Sequence, residues 1–321
     1  MIMMRFSYEI YGLQISSSQK ISILTEKLAS SADLAVDFRE GHLPDLDFEW
    51  QSVLTPGLEA RETVFLLTAQ AAEGTYTQIN YQLRYGRMSF RINPEMNQVW
   101  VSFESITYAD MESFFVGTLM GAILRLRNQL CLHASVVVIN GKAIAFMGQK
   151  RSGKSTTAAA FARLGYQILA DDIAVIKEEG NQFYIQPGYP RLRLRPKTVE
   201  VMHAGEASDL PKVNSRVDSR YADITDQFCT DQLPIAALFI LSSDLTDLVE
   251  PFIEPLNLPQ RLVHLGKNTF ANYAITPQNR KKEFEQLARL VTNVSVNKLH
   301  VVYDIAKVDK QCEAVLQFFM S

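Results

Sequence analysis

Between residues 145 and 165 the chain reads AFMGQKRSGKSTTAAAFARLG. From Gly148 to Ser155 every fixed position of the pattern Gly, four residues, Gly, Lys, then Ser or Thr is filled. The pattern carries meaning only between a strand and a helix, and both flanks have that character. Ala143 to Met147 is a short apolar run of the kind a buried strand shows. Ser155 to Leu164 is rich in alanine, with no breaker until Gly165, which predicts a helix ending in a glycine cap. Such a loop turns backbone N–H groups inward, and the helix adds its unpaired amides and the positive end of its dipole. The expectation is a nucleotide phosphate cradle formed by Gly148, Gln149, Lys150, Arg151, Ser152, Gly153, Lys154, Ser155 and Thr156, with Lys154 reaching the terminal phosphates and Ser155 touching a magnesium ion.

A chain of 321 residues with 47% hydrophobic content is long enough for one large domain or two ordinary ones. Its 32 basic and 35 acidic side chains leave a net charge of −3, so no global field draws in nucleic acid or an anionic membrane. Three widely spaced cysteines, Cys131, Cys229 and Cys312, show no zinc or disulfide spacing, and a reducing cytoplasm is the expected setting. The start, Met1 to Phe6, lacks the apolar run and cleavage site of a signal peptide. Phe114 to Leu124 is too short to span a bilayer, and its Gly117/Gly121 pair reads as close packing in a buried helix.

The first hundred residues read as strands: Phe6 to Ser16, Leu34 to Phe38, Thr63 to Ala69, a hairpin over Gln78 to Ile92 that turns at Arg84-Tyr85-Gly86-Arg87, and Val99 to Phe103. From Tyr108 to Leu130 the period becomes helical, which places a boundary near residue 106 between a β-rich region, 1–106, and an α/β region, 107–321. Later strands are expected at Leu132 to Ile139, Gln167 to Ile176, Phe183 to Gln186, Ile235 to Leu241 and Leu299 to Tyr303, and helices at Arg280 to Val291 and Lys307 to Phe319. Phe284, Leu287, Leu290 and Val291 form a core-facing stripe in the first of these helices.

Two features flank the loop: Leu132-His133-Ala134-Ser135 before it, and Ile168-Leu169-Ala170-Asp171-Asp172 after it. Neighbours on a strand face opposite sides, so the two carboxylates divide the work, one toward magnesium and one toward the attacking group. A strand-end turn with solvated carboxylates is the alternative for this pair, and a hydrogen-bonded core histidine is the alternative for His133.

The run LHASVVVINGKAIAFMGQKRSGKSTTAAAFARLGYQILADDIAVI resembles the catalytic core of HPr kinase/phosphorylase, whose fold is similar to that of phosphoenolpyruvate carboxykinase. The resemblance implies an α/β kinase core of that type behind a β-rich N-terminal region, ATP and Mg2+ as cofactors, and a serine as phosphate acceptor. It implies that Lys154 contacts the β- and γ-phosphates, that Ser155 and Asp172 hold the metal, that Asp171 accepts the hydroxyl proton, and that His133 lies near the transferred phosphate. Thr156 stands where these kinases usually carry Glu, and their Glu-Ile-Arg-Gly type signature is not evident, which argues against HPr as substrate and against reverse phosphorolysis. The layout, with Pro190-Arg191-Leu192-Arg193-Leu194-Arg195, is similar to the kinases of lasso-peptide biosynthesis, which phosphorylate a C-terminal serine of the precursor peptide. Arg191, Arg193 and Arg195 share one face of an extended segment and form a candidate substrate clamp, with solvated arginines as the alternative. Arg261, Lys267 and Arg280, around Leu265 to Tyr273, are expected at a solvated helix end, with a substrate loop as the alternative.

The expected activity is thus an ATP- and magnesium-dependent transfer to a serine hydroxyl of a peptide or small protein. The rivals are a small-molecule or carboxykinase-like phosphotransferase and a non-catalytic ATP-sensing module. A homo-oligomer stays open.

Overall fold

The computed structural model describes residues 5–28, 31–43, 49, 51–53, 63–72, 74–83, 86–202, 206–215, 217–245, 248–274, 277–302 and 304–320. Residues 1–4, Arg84 and Tyr85 of the expected turn, and the Tyr303 end of an expected strand lie outside them. The chain forms two compact units, Met1–Arg127 with Ala271–Ile275, and Asn128–Phe270 with Thr276–Ser321. The division falls after Arg127, later than the change of period near residue 106. The intervening helical segment packs with the first unit's strands: the Tyr11 hydroxyl donates to the Val116 carbonyl at 3.2 Å, and Phe38 meets Phe115 edge to face at 5.6 Å.

In the first unit, β1 (Phe6–Ile10), β2 (Leu13–Ser17), β3 (Leu34–Glu40), β4 (Gln51–Val53), β5 (Thr63–Ala71), β6 (Gly74–Leu83), β7 (Gly86–Ile92) and β8 (Gln98–Glu104) form a sheet in the order β1-β2-β3-β8-β7-β6-β5-β4. The strand expected over Phe6 to Ser16 is a hairpin, because Tyr11 and Gly12 turn at φ +56° and +74°. β6 and β7 pair antiparallel, as the period-two pattern requires. The expected helix over Tyr108 to Leu130 is α1 (Tyr108–Phe114), a π-helical turn over Phe115–Leu119 and α2 (Met120–Leu126). It begins at Thr107, whose hydroxyl accepts from the Asp110 amide at 3.1 Å, and it ends four residues early. No helix among the described residues is long and apolar enough to cross a membrane.

In the second unit, β9 (Leu130–Leu132), β10 (Ala134–Ile139), β11 (Lys142–Met147), β12 (Ile168–Ala170), β13 (Ala174–Glu179), β14 (Gln182–Gln186), β18 (Leu233–Ser242), β19 (Phe252–Pro255) and β20 (Ser295–His300) build the main sheet. Between them, β15 (Arg191–Leu194), β16 (Lys212–Asn214) and β17 (Val217–Asp223) form a small one in the order β15-β17-β16. The helices are α3 (Lys154–Arg163), α4 (Pro196–Met202), α5 (Leu258–Lys267), α6 (Pro277–Asn293) and α7 (Val308–Phe318). β11, β18 and β20 are parallel; β10 runs against β11, and β12 runs against β10 and hence with β11.

Side-chain alternation gives this sheet two apolar faces. Val137, Ile144, Phe146, Phe239 and Leu299 pack with Phe161 of α3 and Val315 of α7, while Val136, Leu238 and Ile240 pack with Leu265 of α5 and Leu287 and Leu290 of α6. Phe146 stacks between Phe161 and Phe239 at 5.7 and 5.9 Å, which fixes the strand before the loop against the helix after it.

Three expectations change here. The run Leu132 to Ile139 is interrupted at His133, and the run Gln167 to Ile176 is interrupted after Ala170. Phe284 is 57% exposed, and Glu283 is the buried member of that turn, so the core stripe of α6 starts at Leu287.

Candidate functional site

β11 ends at Met147, and the loop closes on itself before α3 begins: the Ser152 amide donates to the Gln149 carbonyl at 3.1 Å. Gly148 and Gly153 hold φ of +149° and +98°, which side-chain-bearing residues rarely adopt. At Gly148 space is short as well, since a Cβ there would lie 2.7 Å from Ser152 Oγ and 3.0 Å from the Leu241 carbonyl oxygen. Lys154, 8% exposed, donates through Nζ to the Gly148 and Gln149 carbonyls at 2.9 and 3.2 Å. Gly165, at φ +89°, ends the helix as expected, its amide bonded to Ala162 O at 2.9 Å.

The two aspartates sit on a turn just past β12, with Asp172 at φ +74°. Strand alternation therefore does not separate them; the turn does. Asp171, 3% exposed, has Oδ1 accepting from Ser135 Oγ at 2.5 Å and from Ser155 Oγ at 2.9 Å, while Oδ2 accepts from the Arg193 amide at 2.8 Å. Asp172 has Oδ2 at 2.5 Å from Arg193 Nη1 and Oδ1 at 3.2 Å from His133 Nε2. The hydroxyl of Ser155, expected to share a metal with Asp172, instead donates to Asp171.

The two carboxyls are pushed apart electrostatically. Burial raises Asp171 above its ordinary value, against the Arg193 amide and the Ser135 hydroxyl, which favour the charged form. Burial works on Asp172 in the same sense, but the Arg193 guanidinium and then His133 outweigh it and hold that carboxyl well below the usual range. Burial depresses Lys154, with Asp172 and then Asp171 pulling the other way.

His133 is held on both sides of the β9–β10 break. Its amide donates to the Asn268 carbonyl at 2.7 Å, the Phe270 amide donates to the Cys131 carbonyl at 2.8 Å, and the Phe270 ring meets the imidazole edge to face at 5.8 Å. The segment after α5, expected as a solvated helix end, thus runs beside the site at Asn268 to Phe270, while Lys267 remains exposed. Arg261 is committed to the Leu256 carbonyl at 2.8 Å.

The arginine strand forms as expected, with Leu192 and Leu194 buried and Arg191 and Arg193 on the other face. Neither guanidinium is an open fork. Arg193 bonds Asp172 and lies 5.8 Å over the Tyr221 ring, and Arg191 pairs with Asp223 at 2.7 Å. Arg195 lies beyond the strand and is exposed. Lys150 and Arg151 are exposed at the loop tip, and Thr156 meets Thr198 of α4 at 3.2 Å. Cys131, Cys229 and Cys312 are free and buried.

Sequence reasoning gave Ser135 no role of its own and missed Tyr221. Ser135 left a signal, a lone hydroxyl in an otherwise apolar strand; Tyr221 left none, because only the pairing of β15 with β17 sets it opposite Arg193.

The loop fits an anion. Ser152 Oγ is buried without a partner among the described residues, in a turn that a Cβ at Gly148 would fill. Ser155, Asp171 and Asp172 offer hard oxygen ligands of the kind magnesium takes.

No family model and no curated protein matches the chain. Among solved structures it is similar to the Hpr(Ser) kinase/phosphatase from Coxiella burnetii, at 14% identity over 59% of this chain and 90% of that one, with a TM-score of 0.35.

Proposed function

We propose that the chain is an ATP- and magnesium-dependent phosphotransferase acting on a hydroxyl, with a serine of a peptide or small protein as acceptor. The observation that carries the reading is the convergence, at the carboxyl ends of β11 and β12, of a glycine-shaped anion loop, Lys154, Ser155, two aspartates with different hydrogen-bond partners and His133. Open α/β sheets bind ligands at that end.

Lys154 and the loop amides hold the phosphates and neutralise charge that builds on the transferring group. Ser155 and an aspartate would hold the magnesium ion, which would supply further neutralisation of phosphate charge. The contacts favour an exchange of the two carboxylate roles expected from the sequence. Asp171, buried and bonded to Ser155, is the metal-side group, and Asp172, ionised beside the half-exposed His133, faces the acceptor. Asp172 is a weak base, which suits a loose transition state in which the hydroxyl proton leaves late. Arg191 and Arg193, already ion-paired, shape the acceptor wall and do not clamp a carboxylate.

The test is incubation with ATP and magnesium and a panel of acceptors: a peptide ending in Ser, as a lasso precursor does, the same peptide ending in Ala, and small hydroxyl metabolites. A gain of about 80 Da, one phosphoryl group, on the Ser peptide alone is expected. Transfer only to a metabolite would move the acceptor class, tight ATP binding without transfer would make the chain a sensor, and absence of ATP binding would sink the reading.

A further inference from the structure

β10 reads Ala-Ser-Val-Val-Val-Ile, and all six residues are buried. Ala134, Val136 and Val138 fill one face of the sheet, and Val137 and Ile139 fill the other, where α3 packs. Ser135 takes the remaining position on the α3 face, with no exposed surface. A valine there would continue the core at no polar cost, whereas a buried hydroxyl in such a place is unfavourable unless it is hydrogen-bonded. Its bond goes to Asp171 Oδ1 at 2.5 Å.

The three donors on Asp171 are not alike. The Arg193 amide belongs to the paired strand β15 and holds Oδ2, and Ser135 belongs to β10 and holds Oδ1, so each oxygen has one donor fixed in a sheet. The third donor, Ser155, is on the first turn of α3, next to Lys154, and shares Oδ1 with Ser135. When the Ser155 oxygen turns to a ligand in the loop, Oδ1 still has Ser135.

We infer that Ser135 is a positioning residue that keeps the Asp171 carboxylate aimed at the cation place beside Ser155, so that magnesium-dependent nucleotide binding depends on a hydroxyl buried in β10. The inference rests on the phosphotransferase reading and adds to it a residue that touches neither phosphate nor acceptor.

The experiment is calorimetric titration of ATP into full-length protein, once with magnesium and once with EDTA, and the quantity read is the ratio of the two affinities. Ser135→Ala is expected to lower that ratio about tenfold while leaving the EDTA affinity within about twofold, the size expected for one hydrogen bond to a charged group. Asp171→Asn lowers it as well, and adding Ser135→Ala to Asp171→Asn changes it little further, because the serine acts through that carboxylate. A purely structural serine would lower the melting temperature and both affinities together, leaving the ratio alone. Should Ser135→Ala not fold, Ser135→Cys, close in size and a weaker donor, is read the same way. An unchanged ratio in the folded variant overturns the inference. A wild-type protein whose ATP binding ignores magnesium overturns the reading beneath it instead.

Discussion

The loop from Gly148 to Ser155 and the strand from Arg191 to Leu194 supply the same site by opposite means. The loop is fixed by bonds that span a few residues: Ser152 to Gln149, Lys154 to Gly148, Thr157 to Gly153. The strand is fixed by partners far along the chain: Arg193 reaches Asp171 and Asp172 across 22 and 21 residues, and its place opposite Tyr221 is set by β17. A device whose geometry is local can be written in a short string. One that is assembled across strands cannot, even when its residues are noticed, because what a guanidinium does depends on which carboxylate the fold brings to it. The comparison weakens if a loop residue proves dispensable, or if Arg193 proves no more important than its strand neighbour Arg191.

The largest effect belongs to the loop. Lys154→Ala is expected to lower phosphoryl transfer about a thousandfold and to weaken ATP binding, since removing one charge-stabilising group from such a centre costs about that much. Single-turnover transfer to the serine peptide at saturating ATP measures it, and a variant within tenfold of wild type would leave the loop with no catalytic part.

Arg193→Ala comes next and is a matter of stability as well as activity. It leaves the Asp172 carboxylate largely buried with His133 and the Lys154 charge as its remaining support, and truncating one partner of such a pair costs about 2–4 kcal/mol here, the lower part of the usual range because both side chains keep some solvent. The pH dependence follows from the depressed Asp172 carboxyl. Its pairing stabilises the fold fully above the ordinary carboxylate range and is lost as pH falls through the lower folded value. The difference in urea stability between wild type and Arg193→Ala should therefore be constant near pH 7 and shrink below about pH 4. A difference that widens with acid would reverse the assigned pairing.

The same contrast explains what the sequence revealed of the fold and of the site. The strand, loop and helix around Lys154, the hairpin of β6 and β7, and the apolar strands of the second unit were legible because period and turn chemistry are local. The breaks at His133 and after Ala170 were not, since the apolar pattern resumes beyond one or two polar residues in each run and the interruption is fixed by Asn268 to Phe270 on one side and by the left-handed Asp172 on the other. Phe284 misled because helical spacing identifies a stripe but not its edge. At the site, every loop residue could be named in advance, whereas the sharing of Asp171 between Ser135 and Ser155 required the pairing of β10 with β12.

Gly148→Ala tests the loop by backbone alone. The methyl group meets the Leu241 carbonyl at 3.0 Å, a backbone atom that cannot swing away, at a φ of +149° that alanine avoids. A cost of about 1–3 kcal/mol is expected, each kcal/mol being worth about 2–4 °C of melting temperature in a unit of this size. ATP protection against heating should be reduced further than the melting temperature itself, because the methyl also presses on Ser152 Oγ in the cradle. Full ATP protection in the variant would mean that the cradle does not need its glycine.

The smallest effect is the one that makes the strand comparison strict. Arg191 shares the face, the strand and the residue type of Arg193, and it too has an acidic partner, Asp223, at 2.7 Å. The difference lies in the partner's surroundings: Asp223 is 61% exposed by its side chain, against 19% for Asp172. Water can solvate Asp223 once the arginine is gone, so Arg191→Ala should cost no more than about 1 kcal/mol, the range of surface ion pairs. Its effect should also fade with added salt, because exposed pairs are screened within about 10 Å at 0.1 M ionic strength. Urea unfolding of Arg191→Ala and Arg193→Ala in parallel, at low and high salt, separates the two. Equal losses would mean that position on the strand, and not the buried aspartate, gives Arg193 its weight, and a salt-insensitive loss at Arg191 would place a second buried charge pair on the same face.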